Sequence, residues 1–214
     1  MSNTEFFQRM FVTGTDTGVG KTVVAAILLR GLRGVYWKPV QSGVAPMTDT
    51  QWVRDITGLD DSHFISESYV LNTPASPHLS AAMDGVRINM DEISMPAVGD
   101  TPLIIEGAGG VLVPLNTDRF IADLIKGLDV PALVVAPSGL GMINHTLLTL
   151  DQLRSRDIPV LGVVMNGEPH EANKKAVEHY GRVPVIAEIP PLPEMTPAAL
   201  DEAFDLFTLE RRVS

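Results

Sequence analysis

A glycine-rich segment near the start of the sequence ends in a lysine and a threonine. It reads Gly-Thr-Asp-Thr-Gly-Val-Gly-Lys-Thr over residues 14–22, between a short apolar run and a longer apolar stretch. Glycines let backbone N–H groups turn around phosphate oxygens, and a helix that begins there adds partial positive charge. Lys21 can then reach the terminal phosphates, and the Thr22 hydroxyl can bind Mg²⁺. The segment predicts a phosphate-binding loop, the alternative being an ordinary strand-to-helix turn. Gly14 and Gly20 are separated by five residues, one more than in the standard motif.

A second lysine and two acidic residues follow apolar runs that predict further strands. Lys38 stands in the segment Trp-Lys-Pro-Val-Gln-Ser-Gly at residues 37–43, and Glu106 ends the run Leu-Ile-Ile-Glu before a glycine-rich turn. In a parallel sheet the carboxyl ends of the strands meet at one edge, where ligands bind. Lys38 can stabilise a transferring phosphoryl group there, and Glu106 and Asp49 can hold Mg²⁺ together with Thr22. The alternatives are a solvated lysine at a strand end and an aspartate that caps a helix.

Other catalytic and metal chemistries have little support in the sequence. It contains no cysteine, which excludes thiolate metal sites and cysteine nucleophiles. Its five histidines lack metal-ligand spacing, and Lys174 replaces the second histidine of an H-E-x-x-H motif that would begin at His170. A G-x-S-x-G nucleophile motif is also absent.

Short apolar runs alternate with amphipathic stretches along the chain, which predicts strands alternating with helices. The runs are continuous rather than alternating, as in a mainly parallel sheet with helices on both faces, an α/β fold of the P-loop NTPase type. The predicted strands are 10–13, 35–40, 103–106, 132–136, 160–165 and 185–189. The predicted helices are 21–32, 48–57, 120–128, 143–156, 171–180 and 197–208. Region 58–102 is less regular and is expected to be a lid-like or substrate-facing insertion within a single domain that spans residues 1–214.

The composition is that of an acidic globular protein. The chain is 45% hydrophobic and 20% charged, with a formal net charge of −10. A net negative surface repels phosphate backbones, so a nucleic-acid partner is not expected. The N-terminus lacks the long apolar run of a signal peptide, and no apolar run approaches the roughly 20 residues of a membrane helix. We therefore expect a cytoplasmic protein without a membrane partner.

A series of ordered segments resembles those of one enzyme family. They are GTDTGVGKT (14–22), KPVQSG (38–43), PASPHLSA (74–81), EGAGG (106–110), LGMINHTLLT (140–149), MNG (165–167) and EIP (188–190). Their order is similar to that in the dethiobiotin synthases, whose phosphate loop also has the additional residue. The resemblance implies a homodimer with a mainly parallel sheet of about seven strands and an active site near the subunit interface.

The same resemblance implies a reaction and a set of site residues. Enzymes of this family join 7,8-diaminopelargonic acid to CO2 or bicarbonate, using ATP as co-substrate and Mg²⁺ as cofactor, through a carbamate that is phosphorylated before ring closure. Catalytic roles would fall to Lys21 and Lys38, and Mg²⁺ would be bound by Thr22, Asp49 and Glu106. The residues expected to bind the nucleotide are Gly18, Val19, Gly20, Lys21, Thr22, Val23, Asp49, Glu106, Gly107, Ala108, Gly109, Asn166, Pro190, Pro191 and Leu192. The residues expected to contact the diamine are Thr17, Lys38, Ser42, Gly110 and Asn144. Asn166 would read the adenine, and the helix start at Asn144 of the partner subunit would receive the substrate carboxylate.

Two other classes of nucleotide-binding protein share parts of this pattern. A MinD/ParA-type ATPase switch has the same general fold but usually carries an additional lysine early in the loop, where residues 15–17 read Thr-Asp-Thr. An amidating enzyme of corrinoid acids normally adds a glutaminase domain, for which 214 residues without cysteine leave no room. The chain also departs from the family pattern. Gly18 replaces an acid found in some members, and Gly167 follows Asn166, which leaves both ATP and another nucleotide open as the preferred one.

Overall fold

The computed structural model describes residues 8–208, and within this range the chain forms nine strands and seven α-helices. The strands are β1 (Arg9–Gly14), β2 (Val35–Trp37), β3 (Val40–Ser42), β4 (Phe64–Ile65), β5 (Tyr69–Leu71), β6 (Leu103–Gly110), β7 (Ala132–Pro137), β8 (Val160–Asn166) and β9 (Val185–Ile189). The helices are α1 (Lys21–Leu32), α2 (Asp49–Thr57), α3 (Pro77–Met83), α4 (Ile121–Leu128), α5 (Met142–Arg154), α6 (Glu171–Gly181) and α7 (Pro197–Phe204).

A seven-stranded sheet forms the centre of the described part of the chain. Its order is β4-β2-β6-β1-β7-β8-β9, and all of its neighbouring strands are parallel. Strands β3 and β5 pair in a separate, two-stranded parallel sheet. The carboxyl ends of β1, β2 and β6 therefore lie side by side at one edge of the large sheet. This confirms the α/β, P-loop NTPase-like fold class.

Apolar side chains cover both faces of the large sheet. One cluster contains buried residues of α1, α2 and α7, and the other contains buried residues of α4, α5 and α6. Along β6, Ile104 belongs to the first cluster, whereas Leu103 and Ile105 belong to the second. A strand covered on both faces needs an apolar side chain at nearly every position. This explains why the strand candidates in the sequence are continuous apolar runs.

One predicted strand is wrong, and some element ends differ from the prediction. Residues 35–40 do not form one strand but divide into β2 and β3, which belong to different sheets. Pro39 separates them, since proline has no N–H to donate to a ladder and its φ is fixed. Region 58–102, expected to be less regular, contains the short elements β4, β5 and α3, and the helix predicted over 197–208 ends at Phe204.

The structure bears on two expectations about the chain, the absence of a membrane helix and the number of domains. No helix within residues 8–208 is long and apolar enough to cross a membrane. Both apolar clusters pack on the same sheet, as one domain requires. The expected single domain over residues 1–214 extends past the described range and stays a prediction.

Two helical glycines differ in the space around them, which allows a matched test of packing. A Cβ added at Gly31, in α1, would lie 2.0 Å from Cγ of Phe204 in α7, whereas one added at Gly127, in α4, would meet nothing within 4 Å. We expect Gly31→Ala to lower the free energy of unfolding by about 1–3 kcal/mol, because it overpacks the contact between α1 and α7. Gly127→Ala should raise it by up to ~1 kcal/mol, since alanine favours the helix. Urea unfolding measures both values, and equal effects would contradict this helix contact.

Candidate active site

The phosphate-loop segment lies between β1 and α1, as its sequence predicts. Helix α1 begins at Lys21, and its N-cap, Gly20, has a left-handed φ of 95°. A side chain at Gly20 is also excluded by space, because its Cβ would lie 2.1 Å from Asn166 Nδ2. Lys21 is buried, and its Nζ donates to the backbone oxygen of Asp16 at 2.9 Å. Burial lowers the pKa of Lys21, so an anion bound in the loop would stabilise the charged ammonium.

The Glu106 carboxylate, only 1% exposed, is the centre of a polar cluster at the edge of the sheet. Its Oε1 accepts hydrogen bonds from Thr22 Oγ1 at 2.8 Å and from Lys38 Nζ at 2.9 Å. Its Oε2 accepts a hydrogen bond from the Tyr36 hydroxyl at 2.8 Å. Burial and then the neighbouring carboxylate raise the pKa of Tyr36 well above its ordinary value, so this hydroxyl keeps its proton and donates. The sequence alone assigns Tyr36 no role, because a tyrosine inside an apolar run is expected to be a residue of the hydrophobic core.

Lys38 joins the two acidic residues of the site. Its Nζ lies 2.9 Å from Glu106 Oε1 and 2.7 Å from Asp49 Oδ2, and it also donates to the backbone oxygen of Gly107 at 3.3 Å. The side chain is buried, which by itself would lower the pKa of Lys38. The carboxylates of Glu106 and Asp49 outweigh this loss of hydration, and the pKa of Lys38 is raised. The ammonium is therefore charged at neutral pH. It is not a solvated lysine that caps a strand.

Asp49 is held at the cluster by the short loop that precedes it. It is the first residue of α2, whose N-cap is Thr48, so Asp49 is not itself the cap. Gln41 closes the loop: its Nε2 donates to the backbone oxygen of Gly43 at 2.8 Å, and its Oε1 accepts from the backbone N–H of Asp49 at 3.1 Å. Gln41 is buried, and the sequence patterns did not predict a role for it either. Its place in the KPVQSG segment was the only signal that could have singled it out.

A cavity of about 850 Å³ opens beside this cluster and the phosphate loop. It brings together most of the residues that the sequence predicts for nucleotide, metal and diamine. Those that line it are Thr17, Gly18, Gly20, Lys21, Thr22, Val23, Lys38, Ser42, Asp49, Glu106, Gly107, Ala108 and Gly109. Such a concave site with converging charged groups is where ligands bind in parallel α/β sheets.

The residues expected to contact the base do not line this cavity. Asn166 ends β8 and donates from Nδ2 to the backbone oxygen of Val19 at 3.0 Å, so its amide supports the phosphate loop. Pro190, Pro191 and Leu192 directly follow β9, whose Ile189 is paired in register with Asn166. The structure thus brings these residues to the same edge of the sheet. Their contact with a nucleotide stays a prediction.

Two residues predicted to contact the diamine lie at or near a second cavity. Gly110 lines this cavity, of about 340 Å³, together with Thr15, His145 and Leu148. Asn144 is exposed in the first turn of α5 and lines neither cavity. The role predicted for Asn144 requires a second subunit and stays a prediction.

The oxygen atoms around Lys38 suit a hard divalent cation. The Thr22 hydroxyl and the carboxylates of Asp49 and Glu106 all lie within hydrogen-bond distance of Lys38 Nζ or of one another. Within residues 8–208 there is no group of three or more His, Cys, Asp or Glu side chains that could hold a metal ion. A cation here would have two carboxylates, one hydroxyl and further oxygens from a nucleotide or water. That donor set fits Mg²⁺, which binds few protein ligands and keeps several waters.

Comparisons with known proteins found a family model and relatives that match most of the chain. A family model described as an AAA domain matches residues 8–199. An ATP-dependent dethiobiotin synthetase BioD of Brucella melitensis biotype 2 is 49% identical over 196 residues, which cover 92% of each chain. The chain belongs to the dethiobiotin synthetase family. Another member with the same name, from Brucella ovis, is 48% identical over 196 residues, again 92% of each chain.

Solved structures of more distant proteins resemble this member of the dethiobiotin synthetase family in fold. A ParA family ATPase from Chlorobium tepidum TLS superposes with a TM-score of 0.54 at 14% identity, covering 93% of this chain and 91% of that one. The MinC:MinD cell division protein complex of Aquifex aeolicus gives a TM-score of 0.53 at 15% identity, with 92% of each chain covered. At such low identity the likeness shows the fold alone, so it does not favour the switch alternative.

The loop glycines Gly18 and Gly20 provide a matched test of the contact with Asn166. Both have left-handed φ values, 76° and 95°, so an alanine is strained at either position. A Cβ at Gly18 would meet nothing within 4 Å, whereas one at Gly20 would collide with the Asn166 amide. We expect Gly20→Ala to lower the free energy of unfolding by about 1 kcal/mol more than Gly18→Ala, because it also breaks the hydrogen bond to Val19. Chemical unfolding of both variants measures this difference, and equal losses would argue against the contact.

Proposed function

We propose that this chain catalyses the ATP-dependent formation of dethiobiotin, the activity that its relatives' names describe. The observation that carries the proposal is the cluster around Glu106, in which Thr22, Lys38 and Asp49 meet beside the phosphate loop. Phosphoryl transfer depends mainly on positioning and on cations that neutralise charge on the phosphate oxygens. The cluster offers both, since it joins a buried ammonium to a set of oxygens suited to Mg²⁺.

The substrates in this proposal are 7,8-diaminopelargonic acid, CO2 and ATP. One amine attacks CO2 and loses a proton, which gives a carbamate. A carbamate oxygen attacks the γ-phosphorus, ADP leaves, and a carbamic–phosphoric anhydride forms. The second amine then attacks the carbamoyl carbon and loses a proton, phosphate leaves, and the cyclic urea closes. Carbamate, triphosphate and anhydride are all anionic, so fixed positive charge is what the site must provide.

The chain's own groups hold and orient these anions. The backbone of residues 14–22 and the Lys21 ammonium surround the phosphates, and Lys38 stabilises the carbamate and the transferring phosphoryl group. Thr22, Asp49 and Glu106 would hold Mg²⁺, which when bound neutralises charge on the phosphate oxygens. The Glu106 carboxylate is already occupied by three donors. Positioning and electrostatic stabilisation therefore contribute more here than proton transfer by a side chain.

In this proposal the diamine binds in the main cavity and extends towards the smaller one. Thr17 and Ser42 line the main cavity, and Ser42 Oγ is buried without a hydrogen-bond partner among residues 8–208. A change of the Ser42 side-chain rotamer would direct this unpaired hydroxyl to a polar group of the substrate. Leu148, which lines the smaller cavity on α5, is 57% exposed. We propose that a second copy of the chain covers the surface around Leu148. The α5 N-terminus of that second copy, at Asn144, would then receive the substrate carboxylate.

The decisive experiment is the dependence of ADP release on the diamine. Purified protein with ATP and Mg²⁺ should release ADP only when diaminopelargonic acid and bicarbonate are both present, because the carbamate is the group that accepts the phosphoryl. A coupled ADP assay gives the rate, and mass spectrometry identifies dethiobiotin as the product. Turnover of equal rate without the diamine would overturn the proposal in favour of an ATPase switch.

Lys38→Met tests the role of the second ammonium, because methionine fills the buried space with an unbranched side chain but carries no charge. We expect kcat to fall roughly 100- to 1,000-fold, the usual cost of removing one fixed electrostatic group from a transition state. Nucleotide affinity should stay close to that of the wild type, since the loop backbone and Lys21 are intact. Steady-state kinetics and calorimetric titration with a non-hydrolysable ATP analogue give the two values.

The matched control for this variant is Lys175→Met. Lys175 pairs with Glu171 at 3.0 Å on the surface, and both side chains are mostly exposed. This variant should keep wild-type kcat. If Lys38→Met also keeps wild-type kcat, its role in phosphoryl transfer is refuted.

A further inference from the structure

Tyr36 lies behind the active-site cluster and has no role in the reaction described above. It is the middle residue of β2 and is fully buried, with its ring edge-on to Phe64 at 6.2 Å between centroids. Its hydroxyl donates to Glu106 Oε2 at 2.8 Å. A phenylalanine would fill the same apolar space without a hydroxyl that must find a partner. The polar end of this side chain therefore points to a function at the carboxylate.

The two oxygens of Glu106 have separate sets of partners. Oε1 faces the site and accepts from Thr22 and Lys38, whereas Oε2 faces into the protein and accepts from Tyr36. The last torsion of a glutamate is broad and nearly two-fold, so packing alone directs the two oxygens weakly. A donor held inside a parallel strand fixes that torsion, because Tyr36 cannot move without disturbing the pairing of β2 with β4 and β6.

We infer that Tyr36 is a positioning residue, which holds Glu106 through Oε2 so that Oε1 alone is presented to the divalent cation. The inference rests on the proposed function, in which Glu106 binds Mg²⁺. Mg²⁺ demands near-ideal octahedral geometry, so a carboxylate free to rotate binds it less well. Removing a group that orients a metal ligand from behind typically weakens metal binding roughly 10- to 100-fold.

Tyr36→Phe tests this role, because it removes one hydroxyl and keeps the ring. Mn²⁺ serves as the probe for the cation, and its binding is followed by electron paramagnetic resonance in the presence of a non-hydrolysable ATP analogue. We expect the Kd of Mn²⁺ to rise roughly 10-fold or more. In turnover assays the Mg²⁺ concentration for half-maximal rate should rise in parallel, while KM for the diamine stays unchanged.

Tyr69→Phe is the matched control. The Tyr69 hydroxyl also donates to a glutamate, Glu92, but that pair is at the surface and lies outside the site. This variant should bind Mn²⁺ as the wild type does. Thermal unfolding of both variants without metal separates an effect on the fold from an effect on metal binding.

A double-variant cycle distinguishes positioning from general support of the core. If Tyr36 acts through Glu106, the double variant Y36F/E106Q should bind Mn²⁺ with the affinity of E106Q alone. The inference is overturned if Y36F leaves the Kd unchanged, or if it weakens binding equally in the E106Q background.

The proposed function can fail independently of this inference. It fails if the wild type releases ADP at an equal rate without the diamine. The role of Tyr36 fails if the wild type shows diamine-dependent turnover but Y36F keeps its Mn²⁺ affinity. If Y36F does not fold, the E106Q variant still tests whether Glu106 is a ligand of the cation. Unchanged Mn²⁺ binding in E106Q would show that it is not, and the inferred role of Tyr36 would then be overturned.

Discussion

The described part of this structure depends on one buried carboxylate. An ionised glutamate with 1% exposure is stable only when its oxygens are fully paired, since the loss of hydration costs several kcal/mol. Glu106 meets this need with donors from three places in the chain: Tyr36 inside β2, Lys38 just after it and Thr22 in the first turn of α1. The pairing of β6 with both β1 and β2 brings these donors to one point. The order of the central strands therefore determines which side chains meet at Glu106.

The same cluster accounts for the different electrostatic states of the two lysines. Lys38 is surrounded by carboxylates, which raise its pKa despite burial, whereas burial prevails at Lys21 and lowers its pKa. Lys21 donates to a neutral backbone oxygen of its own loop, so its charge is the less well compensated of the two. A triphosphate in the loop would remove that imbalance. The site thus has one ammonium held in place by protein acids and a second whose best partner is a ligand.

The sequence predicts the elements that depend on local patterns. It does not predict the residues whose roles depend on contacts between distant parts of the chain. The phosphate loop and α1 follow from nearby glycines and an apolar stretch, and the strand that ends in Glu106 follows from a continuous apolar run. Tyr36 and Gln41 were missed because their functions depend on partners that only the fold reveals. Tyr36 meets Glu106 across 70 positions of sequence, and Gln41 meets Asp49 across a loop whose path was unknown. The division of 35–40 into two strands was missed although Pro39 signals it, because the apolar pattern continues through the proline.

The two carboxylates of the site differ in burial and in the number of their hydrogen-bond donors. This difference affects how Lys38 can reach a substrate. Glu106 is buried and held by three donors, whereas the Asp49 side chain is 39% exposed and lies in the first turn of α2. The three N–H groups of Lys38 are directed to both acids and to the backbone oxygen of Gly107, so its ammonium must leave one of these three partners to contact an anion in the cavity. The ion pair with Asp49 is the weaker of the two, because water competes for the partly exposed Asp49 carboxylate. Movement of Lys38 away from Asp49 would also free a carboxylate oxygen for a cation. Metal binding and substrate contact therefore favour the same displacement of one ammonium, while Glu106 stays fixed.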